Sequence, residues 1–569
     1  MASLKSLDLW KPGLLAAVAL VFITSLPQLY LCYARGSMWN GSYAYLDTDE
    51  FAYAAYTNAL LDGRPRRNDP YTGHDNQSFE TPFSIQFIPP YALSWFSRLL
   101  NISPSMTFVL LVPLVVISST LIIFKLVVDV TENPALAAAS AIGVLCLSTL
   151  VVHEPVMVFF PFLRRYVPAF PFPICFAMFL FVWKSLTIRT ILWPFCAAVA
   201  FVFLIYSYFF FWTAAAAWLC ALMILWIIAR PKDRKKTVRV LGIIASVGAL
   251  GLMPYLWLLS HRANTTDSAQ VLEMTRVPDL FRTPEIYGGL VLLVLAYLAH
   301  RGRIAGREPG VLFAASFALA PFLIFNQHVV TGRSLQPFHY EQFIADYMVV
   351  LATFLLVGMA WRKMPRLVPV GLAFGGLSIG LVFAVSASRV TLQSNILIDE
   401  ARSVALHLKK ENTGGLVFTS NTLLTSLIPT EARNPVLWAR YSYVFGDITP
   451  TERKKSFYQH LYYSGFDEAR LVAALQTDFT TRVEFFGAER ANPLLTSQYQ
   501  PITMQEVNAA AREYVAFGES FDRSKASNPI LFYAIVSARD NLSNLDRWYR
   551  RDAGAGMGEF IIYRLSLRE

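Results

Sequence analysis

Charge is what this chain has least of. Only 15% of its 569 residues are Asp, Glu, Lys or Arg, against 55% hydrophobic and 14% aromatic, and the mean hydropathy is +0.43. That balance excludes an ordinary water-soluble fold. Cysteine is also scarce. The five present (Cys32, Cys146, Cys175, Cys196, Cys220) all lie in apolar stretches without C-x-x-C spacing. A disulfide framework and a cysteine zinc site are therefore not expected, and these residues read as small buried hydrophobes. No G-x-G-x-x-G or P-loop occurs, so no nucleotide is assigned. Internal repeats and low-complexity tracts are missing as well.

What is present is a series of apolar blocks, each near the roughly 20 residues that cross a bilayer as a helix. Spans are predicted at 12–33, 105–128, 134–152, 169–186, 190–207, 209–229, 239–260, 285–300, 309–326, 341–360 and 367–388. The run 190–229 is continuous and is split at Tyr206-Ser-Tyr-Phe. The first block follows Lys5 and Lys11 and reads as a signal anchor, being too long for a cleaved h-region. The formal charge is +10, but the basic residues cluster between blocks, at Arg230 to Lys236, Arg301 to Arg307 and Arg362 to Arg366. With a cytoplasmic N-terminus these clusters, Lys184 and Arg189 all fall inside, which is the positive-inside pattern and not a nucleic-acid stripe.

The same count sends the C-terminus outside. From about Val390 the composition becomes that of a soluble domain, predicted as an α/β layer over 389–569 after a transmembrane domain over 1–388. Gly415-Leu-Val-Phe-Thr-Ser, Pro435-Val-Leu-Trp-Ala, Pro529 to Val536 and Glu559 to Leu565 read as strands. Helices are expected after Asn421, from Thr449-Pro-Thr-Glu through Tyr463 with a capping signature, and from Thr503 to Phe517.

Three predicted outer loops carry chemistry, and five of the eight histidines (His74, His153, His261, His328, His339) fall in such loops. In the first loop, 34–104, Asp47-Thr-Asp49-Glu50 opens a helix that ends near Gly63. Capping accounts for one or two of these carboxylates. It does not account for a trio at the membrane face, where carboxylates are costly. Arg64, Arg66 and Arg67 follow, with His74, Asp75 and Glu80, and either phosphate or local carboxylates would satisfy these guanidinium groups. The second loop holds His153-Glu154 and Arg164-Arg165. The third, Asn326-Gln-His328-Val-Val-Thr-Gly-Arg333-Ser-Leu-Gln-Pro-Phe-His339-Tyr-Glu341, has the hydrogen-bonding density of a sugar or phosphate site, and Gly332 would let backbone approach a ligand.

An early Asp-x-Asp/Asp-Glu motif at Asp47-Thr-Asp49-Glu50, a second outer loop with His153-Glu154 and a soluble C-terminal domain together resemble the GT-C superfamily of integral-membrane glycosyltransferases. Protein O-mannosyltransferases, the catalytic subunit of oligosaccharyltransferase and bacterial arabinosyl- and aminoarabinosyl-transferases belong to it. The oligosaccharyltransferase signature WWDYG is absent, so that activity is not expected. The resemblance implies a multi-pass protein of a bacterial inner or plasma membrane. Its donor would be a polyprenyl-phosphate sugar, and the acceptor at the outer face a glycan, lipid or protein. Asp49 would be the general base, with Asp47 or Glu50 orienting the acceptor. Arg164, Arg165 and Arg333 would meet the lipid phosphate, and His328 and His339 the sugar hydroxyls. His153, Glu154, Arg67 and His74 complete the candidate binding set. The one cofactor to consider is a divalent cation (Mg or Mn), with Asp47, Asp49 and Glu154 as ligands. Two other classes compete: a transporter or flippase of a lipid-linked saccharide, and a polysaccharide polymerase or ligase. A transporter would show repeated halves and charge at the bilayer midplane; a polymerase would lean on outer arginines more than on an early Asp-x-Asp.

Overall fold

In the computed structural model, residues 2–569 are described except 152–159, 189, 446–448 and 494–498. Every predicted apolar block is helical. Among the described residues, eight helices are long and apolar enough to cross a membrane: Asp8–Met38, Pro104–Thr131, Phe209–Ala229, Pro231–Ser260, Thr283–His300, Pro309–Thr331, Pro337–Ala360 and Leu367–Glu411. Three apolar helices are shorter, Pro134–Ser148, Pro171–Thr187 and Leu192–Ile205. The run 190–229 breaks at residues 206–208. There Ile88 N–H donates to the Tyr206 carbonyl and Phe209 N–H to Gln86 Oε1, so the first loop supplies what the interrupted helix cannot.

The basic clusters gather at one end of the bundle. Lys184 pairs with Asp129 at 2.7 Å, Lys236 Nζ donates to the Leu186 carbonyl, Arg230 reaches the Arg307 carbonyl, and Arg362 pairs with Glu308. The acidic first loop, the Arg164 turn and residues 261–282 lie at the helix ends away from these clusters. There the chain stays ordered by burying aromatic rings: Tyr43 stacks on Tyr45 at 3.9 Å, and Phe83 on Phe445 at 4.3 Å. Such pairs contribute about 0.5–1.5 kcal/mol each beyond their buried area. Phe445 belongs to the C-terminal part, so that part is seamed to the first loop.

The helix Leu367–Glu411 runs unbroken through 388. Its apolar stretch passes into an amphipathic one whose buried Asn395, Ile398, Asp399, Arg402, Ala405 and Leu408 recur at helical spacing, so composition changes where the backbone does not. One expectation about the C-terminal part, a strand at Pro435 to Ala439, is corrected. Pro435-Val-Leu-Trp-Ala forms no strand; Val436 makes a single bridge to Val417, while its N–H goes to the Tyr71 carbonyl. The strands are β1 (Leu272–Met274), β2 (Arg333–Leu335), β3 (Val417–Thr419), β4 (Tyr533–Ser537), β5 (Tyr549–Arg551), β6 (Ala555–Met557) and β7 (Phe560–Leu567). β1 and β2 pair antiparallel. The other five form a mixed sheet in the order β3-β4-β7-β5, with β6 also on β7, and only β3 and β4 run parallel. Helices Pro450–Tyr463 and Met504–Glu519 pack beside it, each opened by a capping box, at Thr449/Glu452 and Thr503/Glu506.

The third predicted loop is also shorter than expected. Helix Pro309–Thr331 takes up Asn326 and His328 and ends at Gly332, whose φ of 74° makes the left-handed C-cap for which glycine is suited. β2 follows, then a turn Pro337–Tyr340 and a π-helical turn Glu341–Ala345 that leads into helix Asp346–Ala360.

Candidate functional site

Helix Glu50–Leu61 opens at Asp49, and the Asp49 side chain makes no capping hydrogen bond to it. Asp47 Oδ1 instead accepts from the Asp49 N–H at 2.9 Å, a local Asx turn. Capping therefore leaves the Asp49 carboxylate unused. Both aspartates face Arg164, whose Nη1 stands 3.4 Å from Asp47 Oδ2 and 3.2 Å from Asp49 Oδ2.

Arg164 is 3% exposed and fixed on every side. Its Nε donates to the Val167 carbonyl at 2.9 Å and its Nη2 to Tyr208 Oη at 3.2 Å. The guanidinium lies 4.8 Å over the Phe343 ring and 5.7 Å from that of Tyr53. A planar fork with several donors suits such a hub, where lysine would leave partners unmet. Arg165 and Glu50 turn the other way. Arg165 donates to the Phe108 and Ala44 carbonyls. Glu50 is fully buried and accepts from the Arg165 N–H at 2.9 Å and the Leu46 N–H at 3.3 Å. Burial pushes its pKa up to about 7, against the nearby Arg165 charge. These two residues hold the loop; neither lines the cavity described next.

A cavity of about 530 Å³ opens beside Asp49, within the size range of small-molecule sites. Its lining combines Asp49, Tyr53, Arg164, Tyr208, His339 and Tyr443 with Arg262, Asp267, Gln270, Arg333 and Gln336, and Trp212, Tyr255, Leu256 and Leu259 add apolar surface. The Asp49 side chain is 47% exposed where it lines this cavity, and protein surrounds the carboxylate on its other sides. Burial is accordingly the main cause of its raised pKa, about 6. The negative charge of Asp47 adds to the rise, while Arg164 and Arg440 oppose it.

Of the sequence candidates, Asp49, Arg164, His339 and Arg333 share the cavity lining, with Asp47 beside them. The His339 ring packs against Phe210, Phe338 and Phe343, and its Nδ1 is buried with no hydrogen-bond partner among the described residues. His328 is buried elsewhere, with Nε2 2.6 Å from the Val277 carbonyl. Arg67 and His74 do not line the cavity. Arg64 pairs with Asp75, and Arg66 grips Glu80 with two nitrogens at 2.5 and 2.6 Å, so for those two arginines local carboxylates are the partners. His153 and Glu154 lie outside the described residues. Of the three ligands considered for a divalent ion, Asp47 and Asp49 converge on Arg164, and Glu154 lies outside the described residues. Among the described residues no three His, Cys, Asp or Glu side chains converge.

Arg440 was missed. It is half-buried between Tyr441 and Phe479, 5.5 Å from each ring, and makes no ion pair among the described residues. Asp49 and Asp47 stabilise its charge. Its only local signal is an arginine set among aromatics, Trp438-Ala-Arg440-Tyr-Ser-Tyr443. Tyr208 and Tyr443 were missed too: a tyrosine at the helix break 206–208 reads as interfacial, and Tyr443 lies in a short helix, Ser442–Phe445, far along the chain.

Fold and site define a polytopic α-helical protein whose helix ends enclose a carboxylate-bearing cavity completed by its C-terminal part. No protein-family model and no curated protein matches the chain. It is similar to a solved structure, the single-particle cryo-EM structure of the arabinofuranosyltransferase AftD from Mycobacteria. The identity is 13% and the TM-score 0.47, over 98% of this chain. The chain spans 40% of that protein's length.

Proposed function

We propose that the protein is a glycosyltransferase moving a sugar from a polyprenyl-phosphate-linked donor to an acceptor hydroxyl at the outer membrane face. The observation that carries this is Asp49, a cavity-facing carboxylate with a pKa raised to about 6 beside a fixed guanidinium. The acceptor oxygen attacks the anomeric carbon as the bond from that carbon to the phosphate oxygen breaks. Asp49 takes the acceptor proton, and polyprenyl phosphate departs with the bonding electrons. Asp47 holds Asp49 in place through its backbone N–H, and Arg164 keeps the pair apart in charge. Arg440 and Arg333 are the guanidinium groups that meet the phosphate, and His339 meets a sugar hydroxyl. Glu50 and Arg165 position the loop. The sheet-bearing C-terminal part closes the cavity through Tyr441 and Tyr443. The test is incubation of the purified protein, in vesicles, with radiolabelled polyprenyl-phosphate sugars and a cell-envelope fraction that supplies acceptor hydroxyls. Release of polyprenyl phosphate is expected; a donor that stays intact, or merely crosses the vesicle wall, overturns the reading.

Two consequences are measurable in that assay. A base must be ionised, so kcat/KM should rise with pH through about 6 and level off above it; a flat profile across that window removes Asp49 from the role. Arg440→Ala should raise the donor KM roughly ten- to hundredfold, the worth of a charged hydrogen bond. It should also move the acid limb to higher pH, because Arg440 helps hold the Asp49 pKa down. A KM within error of the unsubstituted protein would place Arg440 outside the site.

A further inference from the structure

We infer that residues 274–282, together with Val330, form an apolar foot that inserts into the lipid surface beside the cavity. Phe281 is 82% exposed, Val330 81% and Val277 73%, and Leu280 and Met274 are also exposed. A contiguous set of bare apolar side chains marks an interaction surface. The backbone beneath them is pinned. Arg276 donates to the Val329 and Val330 carbonyls, Asp279 N–H to Asn326 Oδ1, and Asn326 Nδ2 back to the Asp279 carbonyl. Arg282 closes on Asp279 and Glu341. The side chains thus point outward from a fixed frame. Phe281 does so at φ 73°, a left-handed conformation unfavourable for a bulky residue and kept only where the surroundings require it.

Lipid is the occupant because the patch is continuous with surface that already faces it. Phe281 stands two residues before helix Thr283–His300, a membrane-span candidate whose Ile286, Tyr287 and Leu290 are exposed. Val330 sits in the last turn of another. Aromatic and aliphatic side chains at that depth belong at the headgroup boundary, with Arg276 and Arg282 at phosphate level. Through β1 and β2 the foot also sets the height of Arg333 at the cavity. The inference does not depend on the donor or on the reaction.

The experiment places a nitroxide label on Phe281→Cys and, separately, on Ser268→Cys, an exposed polar position in the same loop. The protein is reconstituted in phosphatidylcholine–phosphatidylglycerol vesicles, with the labelled unsubstituted chain as blank. At 281 collisions with oxygen should exceed those with a polar nickel chelate several-fold, and at 268 the order should reverse. Equal chelate access at both positions overturns the inference. So does dipolar broadening at 281, which would mean that a second copy of the chain covers the patch.

Discussion

Exchanging Asp49 for Asn is expected to slow sugar transfer about 10²–10⁴-fold while leaving the protein as stable at pH 7 as before, or more so. The two halves of this result come from the same geometry. The amide keeps the size of the side chain and an oxygen for Arg164 to donate to, yet it cannot take a proton from an acceptor. Stability follows from linkage. The Asp49 pKa rises from an ordinary 3.8 to about 6 on folding, so the folded state binds the proton more tightly. The stability this contributes is complete below the unfolded pKa and is lost as pH climbs through about 6. Above that, the ionised carboxylate burdens the fold, and Asn relieves it. Donor turnover and thermal unfolding measured on one preparation decide the matter. Near-normal turnover ends the assignment, and a large loss of stability would make Asp49 a structural residue.

Arg164→Ala is the second large effect. It removes the guanidinium that, among the described residues, touches both aspartates and also spans Val167 and Tyr208. Breaking a buried pair by deleting one partner costs about 3–5 kcal/mol. Here the lower end, about 3 kcal/mol, is appropriate because Asp49 opens onto the cavity. The loss should grow with pH: two unpaired carboxylates repel once ionised and do not when protonated, so acid restores much of the stability. Activity should fall about 10²–10³-fold, as when a fixed electrostatic group is deleted from an active site, and the acid limb should move above 6. Arg164→Lys keeps the charge but not the fork, and should fall between. A destabilisation independent of pH would show that Arg164 acts through packing on Phe343 and Tyr53 and not through charge.

The apolar blocks were legible because a bilayer-length hydrophobic run is a local property, readable without any partner. The same holds for the break at Tyr206 and the cap at Thr449, whereas Gly332, expected to let backbone approach a ligand, ends helix Pro309–Thr331. At Val390 composition reports solvent and not backbone: helix Leu367–Glu411 passes from an apolar to an amphipathic stretch without ending. Pro435 to Ala439 misled because an isolated extended segment looks like a strand, while here its hydrogen bonds are divided between β3 and Tyr71. Glu50 and Arg165 sit next to residues of the cavity in sequence and yet face away from it. Neighbours on a helix turn or a tight loop point to different sides, and no spacing rule says which side is the cavity.

From the sequence alone came a charge-poor chain of apolar helices, its basic loops at one end and an acidic motif at the other; these follow from transfer energies summed over neighbouring residues. Only the tertiary structure decided that Asp47 and Asp49 share Arg164 from over a hundred residues away, that His339 enters the same cavity and His328 does not, and that Arg440 approaches from the C-terminal part. Those juxtapositions are set by how helices and aromatic seams pack. Packing depends on shape between segments distant in the chain, and no local pattern records it.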